Sequence, residues 1–417
     1  NPMSLISTGN THESTPKPVV PNQGMGLYIH VPFCATKCPY CDFNTYQGIE
    51  SLLEPYLEAL TTEIQLWGRV LSKLRVNTVF LGGGTPSYLP EHHLPRIFEV
   101  INSSFVLRED AEITVEANPD DLNQSNCAAW LRLGINRLSI GVQSLDDGML
   151  KMLGRRHDSS RAKNAVEEAQ AAGFTNINLD LMYGLPGQSM TQWQDTLQRV
   201  TSLTPKHLSL YALTPEAGTP LHQSLKDGSV PNPDSDLAAD MYQHAREHLA
   251  EAGFHHYEIS NWSLPDCQAL HNLGYWRNLP YLGVGPGAHS RLGSYRFWDV
   301  SSPRSYMTNV RKWAASNPEA CQSLTEAALK SASPVDGWEH ISPEIDGSEM
   351  MILGLRLLDG MDMKEASARV GQDLEVIYGG QIGELSELGL LERRNGLLRL
   401  TTETYLIANQ VFTRFVG

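Results

Sequence analysis

Positive charge is scarce in this 417-residue chain: 32 Lys and Arg stand against 47 Asp and Glu, a formal net charge of −15 at pH 7. That balance repels phosphate backbones and anionic membrane surfaces, so nucleic acid is not an expected partner. No apolar run approaches the roughly 20 residues needed to cross a bilayer, and no basic flank leads into an apolar stretch at the N-terminus. The expectation is a cytoplasmic protein with no transmembrane segment. Cysteine is also sparse, six in all, and is not spread as a disulfide framework. Cys127, Cys267 and Cys321 stand singly and read as core filler, whereas Cys34, Cys38 and Cys41 crowd into eight positions and suggest a metal.

What is present is an ordinary globular composition, 41% apolar and 19% charged. Residues 1–23, rich in Ser, Thr, Asn and Pro without apolar periodicity, read as a disordered N-terminal tail. From Gly26 onward, short apolar runs (LYIHV, TVFLGG, EITVEANP, RLSIGVQ, INLDLMYGLP, HLSLYAL) alternate with helical patterns at 52–67, 94–102, 126–133, 161–172 and 191–203. Such alternation predicts an α/β fold of parallel strands joined by helical crossovers, a partial (β/α)6-type barrel over 24–300. In barrels of this kind chemistry sits where strands end. Here those ends carry His30, Gly82 to Thr85, Glu116, Gln143 and Asp180, which implies one shared site.

The pattern loosens over 301–340, read as a linker, and tightens again over 341–417. There helices are expected at 349–358, 364–370 and 373–388, followed by a hairpin turning at Asn395-Gly396, whose type I′ geometry needs positive φ at both positions. Three helices and a hairpin make a small winged-helix-like domain. Acidic residues outnumber basic ones within it and no basic stripe marks its third helix, so a structural or lid role is expected rather than DNA binding.

The run HVPFCATKCPYCDF places three thiolates at C-x3-C-x2-C in the loop after the first strand. A loop of that spacing can wrap three corners of a [4Fe-4S] cluster and leave the fourth iron without a protein ligand. The amino and carboxylate groups of S-adenosyl-L-methionine (SAM) can chelate such an open iron. Zinc is the alternative, but structural zinc wants four ligands in paired groups, and no partner pair is present. Gly82, Gly83 and Gly84 let backbone approach a ligand closely, although a bare tight turn would use them equally well.

With its aromatic before the third cysteine, this motif resembles that of the radical SAM superfamily. Within it, YIHVPFCATKCPYCDF, FLGGGTPS, EANPDDL, LSIGVQS, LGRRHD and NLDLMYGLPGQ resemble the oxygen-independent coproporphyrinogen III oxidase branch, from Gly26 to about Ser290 and more loosely beyond. The resemblance implies Cys34, Cys38 and Cys41 as cluster ligands, with Tyr28, Tyr40, Gly83, Gly84, Thr85, Glu116, Gln143, Arg155 and Asp180 at SAM-contacting positions. A reductant protein is an implied partner.

One departure is specific. The oxidases carry a further cysteine two positions after the third, and here that position is Phe43. The chain in this respect resembles the HemW-type haem chaperones, which deliver haem to acceptor proteins and are not expected to decarboxylate coproporphyrinogen III. The run HNLGYW matches the H-N-x-x-Y-W motif of that group and implies haem contact through His271, Tyr275 and Trp276. An imidazole with two aromatic faces is a physically sensible haem site, although an isolated His beside Asn and aromatics is more often a hydrogen-bonded core residue. No role is expected of His255, His256 or His289, no catalytic residue stands out, and oxidative decarboxylation remains the alternative activity.

Overall fold

A computed structural model describes residues 24–72, 74–321 and 323–416. The tail expected over 1–23 lies outside the described residues. Six parallel strands follow in chain order: β1 (Met25–Val31), β2 (Arg75–Gly83), β3 (Val106–Ala117), β4 (Arg137–Gln143), β5 (Asn176–Tyr183) and β6 (His207–Ala212). Helices connect them, as the alternating periods predict.

The crossovers begin on caps written in the sequence. Asn123, Asp158 and Ser189 each accept a hydrogen bond from the backbone N–H three residues on, at 2.9, 2.7 and 3.2 Å. The helix Ser159–Ala172 ends on Gly173, whose φ of +115° places it in the left-handed region that only glycine enters cheaply.

The sheet is wider than six strands. After β7 (His255–Glu258) and β8 (Asn261–Ser263), which extend it antiparallel beyond β6, the chain returns to the opposite edge. There β9 (Tyr281–Val284) pairs parallel with β1, and β10 (His289–Leu292), β11 (Tyr295–Asp299) and β12 (Val335–His340) continue antiparallel. Among the described strands the sheet does not close on itself.

Residues 301–340, expected to be a linker, instead carry the helices Pro303–Ala315 and Glu326–Ser331 and the edge strand β12. Trp313 sits edge-on to Trp67 of the helix Leu53–Val70 at 4.9 Å, and both rings are buried. The composition misleads because Ser, Thr and Pro here serve as helix starts: Ser302 and Thr325 each cap a helix, and Pro303 occupies a first turn.

The C-terminal part holds three helices, Pro343–Gly354, Met363–Val370 and Leu374–Glu387, then β13 (Leu391–Arg394) and β14 (Leu397–Leu400); the first, capped by Ser342, starts and stops earlier than the expected 349–358. Asn395 and Gly396 have φ of +53° and +83°, as the hairpin turn requires. This unit is bonded to the sheet rather than tethered to it. Leu358 N–H donates to Tyr257 O at 3.0 Å, and Arg291 of β10 donates to Asp346 at 2.6 Å.

Trp313→Ala is expected to cost about 3–5 kcal/mol in denaturant unfolding, the range for truncating a buried aromatic. A change within about 0.5 kcal/mol, as at a solvated linker position, would show that 301–340 lies outside the cooperative core.

Candidate functional site

Beyond the C-terminal ends of β2 to β6 lies a cavity of about 590 Å³ that the loop carrying Cys34, Cys38 and Cys41 overhangs. All three thiols line it and none is in a disulfide. The loop is held by groups that do not depend on a cluster. Lys37 Nζ donates to the carbonyls of Phe43 and Thr45, each at 3.0 Å. His30 Nε2 donates to Asn44 O at 2.8 Å, and Asn44 Nδ2 bonds Pro286 O and Ser301 O at 3.1 and 2.9 Å.

Two further donors point at sulfur, Thr85 Oγ1 to Cys34 Sγ at 3.5 Å and Arg155 NH1 to Cys38 Sγ at 3.3 Å. Burial raises the pKa of the Cys34 thiol, opposed by its hydroxyl contacts. Three converging soft donors, flanked by a guanidinium that favours sulfur anions, fit a [4Fe-4S] cluster with one iron left for another ligand.

The glycines that end β2 and follow it are there because a Cβ would crowd their neighbours. A Cβ at Gly83 would stand 2.4 Å from the His30 ring, one at Gly84 2.6 Å from the carbonyls of Val31 and Phe33, and one at Gly82 2.7 Å from Glu116. Gly83 also has φ of +103° and donates its N–H to Glu116 Oε2 at 3.1 Å. The tight turn and the ligand wall are therefore the same structure.

Opposite the thiols the cavity is polar. Burial, with Asp180 as second cause, pushes the pKa of the Glu116 carboxyl up to about 8, and burial also raises that of Asp180. Asp180 accepts from Asn178 at 2.8 Å and from Ser139 at 3.1 Å. Arg155 NH2 is anchored to Asn118 Oδ1 and Gly141 O at 2.7 and 2.8 Å, leaving Nε buried without a partner among the described residues. Gln143 reaches the cavity through an irregularity in the β4–β5 ladder and has φ of +67°, a strained choice for a residue with a side chain. Carboxyls beside a guanidinium and open backbone suit a ligand that carries an ammonium, a carboxylate and ribose hydroxyls, as SAM does.

Of the residues the resemblance implies, Tyr40, Gly83, Gly84, Thr85, Glu116, Gln143, Arg155 and Asp180 line this one cavity. Tyr28 does not: its hydroxyl donates to His30 Nδ1 at 2.9 Å, so it braces the residue that braces the cysteine loop. Arg137, Ser139, Asn178, Ser209, Tyr211 and Asn272 also line the cavity, and neither strand-end position nor resemblance singles them out. Five of them carry a usable signal: R-L-S-I-G-V-Q, N-I-N-L-D-L and H-L-S-L-Y alternate polar with apolar, and that period of two turns the polar set to one face.

The HNLGYW run forms the short helix Leu270–Trp276, and its residues face three ways. Asn272 looks into the cavity. His271 is 4% exposed, stacked on Phe80 at 5.3 Å, with Nδ1 bonded to Thr78 Oγ1 and Nε2 to Tyr275 OH, both at 2.8 Å. Burial lowers its pKa to about 3, so the imidazole is neutral. Trp276 lies under the Arg356 guanidinium at 4.3 Å. The helix is pinned at its start by Glu112, which accepts from the N–H groups of Leu270 and His271 at 2.9 and 3.0 Å.

Residues 28–200 match the radical SAM superfamily and residues 341–407 the HemN C-terminal domain. Heme chaperone HemW of Mycobacterium tuberculosis is 35% identical over 95% of this chain and 96% of its own length. HemW of Bacillus subtilis is 33% identical over 94% and 98%, respectively. The mitochondrial radical S-adenosyl methionine domain-containing protein 1 of Mus musculus is 42% identical over 66% of this chain and 63% of its own length. Among solved structures, the coproporphyrinogen III oxidase HemN of Escherichia coli, a radical SAM enzyme, superposes with a TM-score of 0.78 at 22% identity, covering 94% of this chain and 90% of that one. That likeness establishes the fold.

Glu116 makes the site testable without its ligands. With a folded-state pKa near 8 against an ordinary value of 4.5, the native protein keeps a proton that the unfolded chain has lost between those values. Stability is therefore fully present below about 4.5, falls as pH rises through about 8, and levels above it. Urea unfolding of SAM-free protein at pH 6 and pH 8.5 is expected to show this loss, and Glu116→Gln to reduce it. An identical pH dependence in the variant would mean that Glu116 ionises normally.

Proposed function

Because the chain belongs to the HemW-type haem chaperone family of the radical SAM superfamily, we propose that it binds haem and a SAM-ligated [4Fe-4S] cluster and passes haem to acceptor proteins. Cys34, Cys38 and Cys41 hold the cluster, and the walls formed by Gly83, Gly84, Glu116, Gln143, Arg155 and Asp180 hold SAM. When bound, the cluster supplies one electron at a time to SAM, from a reductant protein. The chain's own groups orient: Arg155 sets its charge beside Cys38, and Glu116 is held in the cavity wall by the Gly83 N–H.

The observation that carries the haem reading is the placement of the helix Leu270–Trp276 against the cofactor cavity. Asn272 lines that cavity, and Phe80 lines it while stacking on the His271 ring. In this proposal His271 ligates haem iron through Nε2, the nitrogen now occupied by the Tyr275 hydroxyl. Nδ1–H stays on Thr78 and fixes the tautomer. Haem binding therefore displaces the Tyr275 hydroxyl, leaving its ring as a flat face for the porphyrin.

Hemin titration followed in the Soret region tests this. His271→Ala is expected to lose the imidazole-ligated spectrum. Tyr275→Phe removes only the competing hydrogen bond, worth about 1 kcal/mol, and is expected to tighten binding about fivefold. Unchanged affinity and spectrum in both variants would remove His271 as the ligand.

Phe43 in place of the oxidase cysteine also predicts no oxidative decarboxylation. Anaerobic incubation of the reconstituted protein with coproporphyrinogen III, SAM and reductant is expected to give no vinyl products, and their formation would instead establish the oxidase activity.

A further inference from the structure

Away from the cysteine loop, two helix starts bring a second set of metal-ligating atoms together. Glu54 lies in the first turn of the helix Leu53–Val70, and His92 and His93 open the helix His93–Ser104. One carboxylate oxygen, Glu54 Oε1, stands 2.7 Å from His92 Nε2 and 3.1 Å from His93 Nε2. The three ligand atoms lie within 4.8 Å of one another. Around a tetrahedral ion with bonds of about 2.1 Å, ligand atoms are roughly 3.4 Å apart, so small rotations of the two exposed side chains bring this set to ligand geometry.

We propose that Glu54, His92 and His93 bind one transition-metal ion of the zinc class, in a site separate from the cluster loop. Two imidazole nitrogens and one carboxylate oxygen are a borderline donor set that favours Zn²⁺ over Mg²⁺ or Ca²⁺. His93 has no exposed side-chain surface, and its Nδ1 has no partner among the described residues, so its polar contact is made entirely at Nε2. His92 and Glu54 are 60% and 61% exposed, which opens the site to an incoming ion.

The location gives the ion a task. The stretch from Gly83 to His93 forms the cavity wall at one end, where Thr85 meets Cys34, and reaches the metal site at the other. Midway, Ser87 bonds Asp121 at 2.8 Å and accepts from Asn118 N–H at 3.0 Å, while Tyr88 OH donates to Glu50 at 3.1 Å. A bound ion ties this wall to the helix Leu53–Val70 and stiffens it.

The test uses full-length protein with its cluster reconstituted, titrated with Zn²⁺ against a chromogenic chelator, and bound metal counted after desalting. Native protein is expected to hold one zinc per chain beyond the cluster iron. Glu54→Gln and His92→Ala, both at exposed side chains, are expected to bind it more than about tenfold less tightly, as loss of a ligand must exceed loss of an outer partner. Zinc is expected to raise the thermal midpoint of the native protein and of neither variant. A Cys34→Ala/Cys38→Ala/Cys41→Ala chain is expected to keep its zinc, which separates this site from the cluster reading. Equal zinc affinity in native protein and both variants, no zinc beyond the cluster content at micromolar free metal, or loss of the zinc with the cysteines overturns the proposal.

Discussion

The constraint on which the structure turns is that the inner face of a parallel sheet has been made polar. Strands buried on both faces ordinarily read as continuous apolar runs, because an unpaired polar group inside costs more than a hydrogen bond returns. On β4, β5 and β6 most of the alternate residues, with Gly141 and Met182 as exceptions, break that rule, and many of the groups satisfy one another. Asn178 bonds Asp180 and Ser139 at 2.8 Å each, and Ser209 bonds Asn178 at 3.1 Å and Asn261 at 2.6 Å. His207 closes the set between Asn178 and Tyr257, at 2.6 Å on either side. What is left over is informative: Nε of Arg137 and of Arg155 are buried without partners among the described residues, and both side chains line the cavity.

The same network reaches the C-terminal domain. Asn261 bonds Glu258, a buried carboxylate 3.5 Å from Arg356, and Arg356 lies over the Trp276 ring. Leu357 bridges to Glu258, and Arg369 donates to Arg277 O at 2.6 Å, just past the end of the HNLGYW helix. That helix is short, seven residues, too short to be stable alone. Its position is imposed from outside, by Glu112 at its start and by Arg356 and Arg369 at its end. Through these contacts residues 341–417 fix the place of that helix.

Much of this is legible in the sequence, and for physical reasons. Strand and helix periods, cap residues and the Asn395-Gly396 turn are local signals, and the six-strand parallel core and the C-terminal helices follow them. The cysteine loop stands out because three cysteines within eight positions are a density of soft ligands that core packing alone rarely produces, and the fold brings all three thiols to one cavity. What is not legible is non-local. That Val335–His340 adds to a sheet begun at Met25 depends on a pairing with β11 that no window of sequence contains. The resemblance places Tyr28 among the SAM contacts, but on its strand it shares a face with His30, and its hydroxyl is taken up by that ring. Whether His271 is a ligand or a core residue depends on its two ring hydrogen bonds, and their partners Thr78 and Tyr275 stand 193 and 4 residues away.

Phe43 shows how one scaffold can host the departure in the cysteine motif without being rebuilt. The backbone there is fixed by bonds to its carbonyl, from Lys37 Nζ at 3.0 Å and from Thr45 N–H at 2.7 Å, and neither involves the side chain. The ring itself is 64% exposed at the cavity rim, beside Cys41 and Asp42. A thiol and a phenyl ring can therefore exchange at this position with the loop unchanged, while the mouth of the cavity passes from a nucleophilic, metal-ligating rim to an apolar one. The backbone that shapes the cysteine loop and the side chain that faces the cavity mouth are thus different atoms of the same residue, and the second can change while the first is retained.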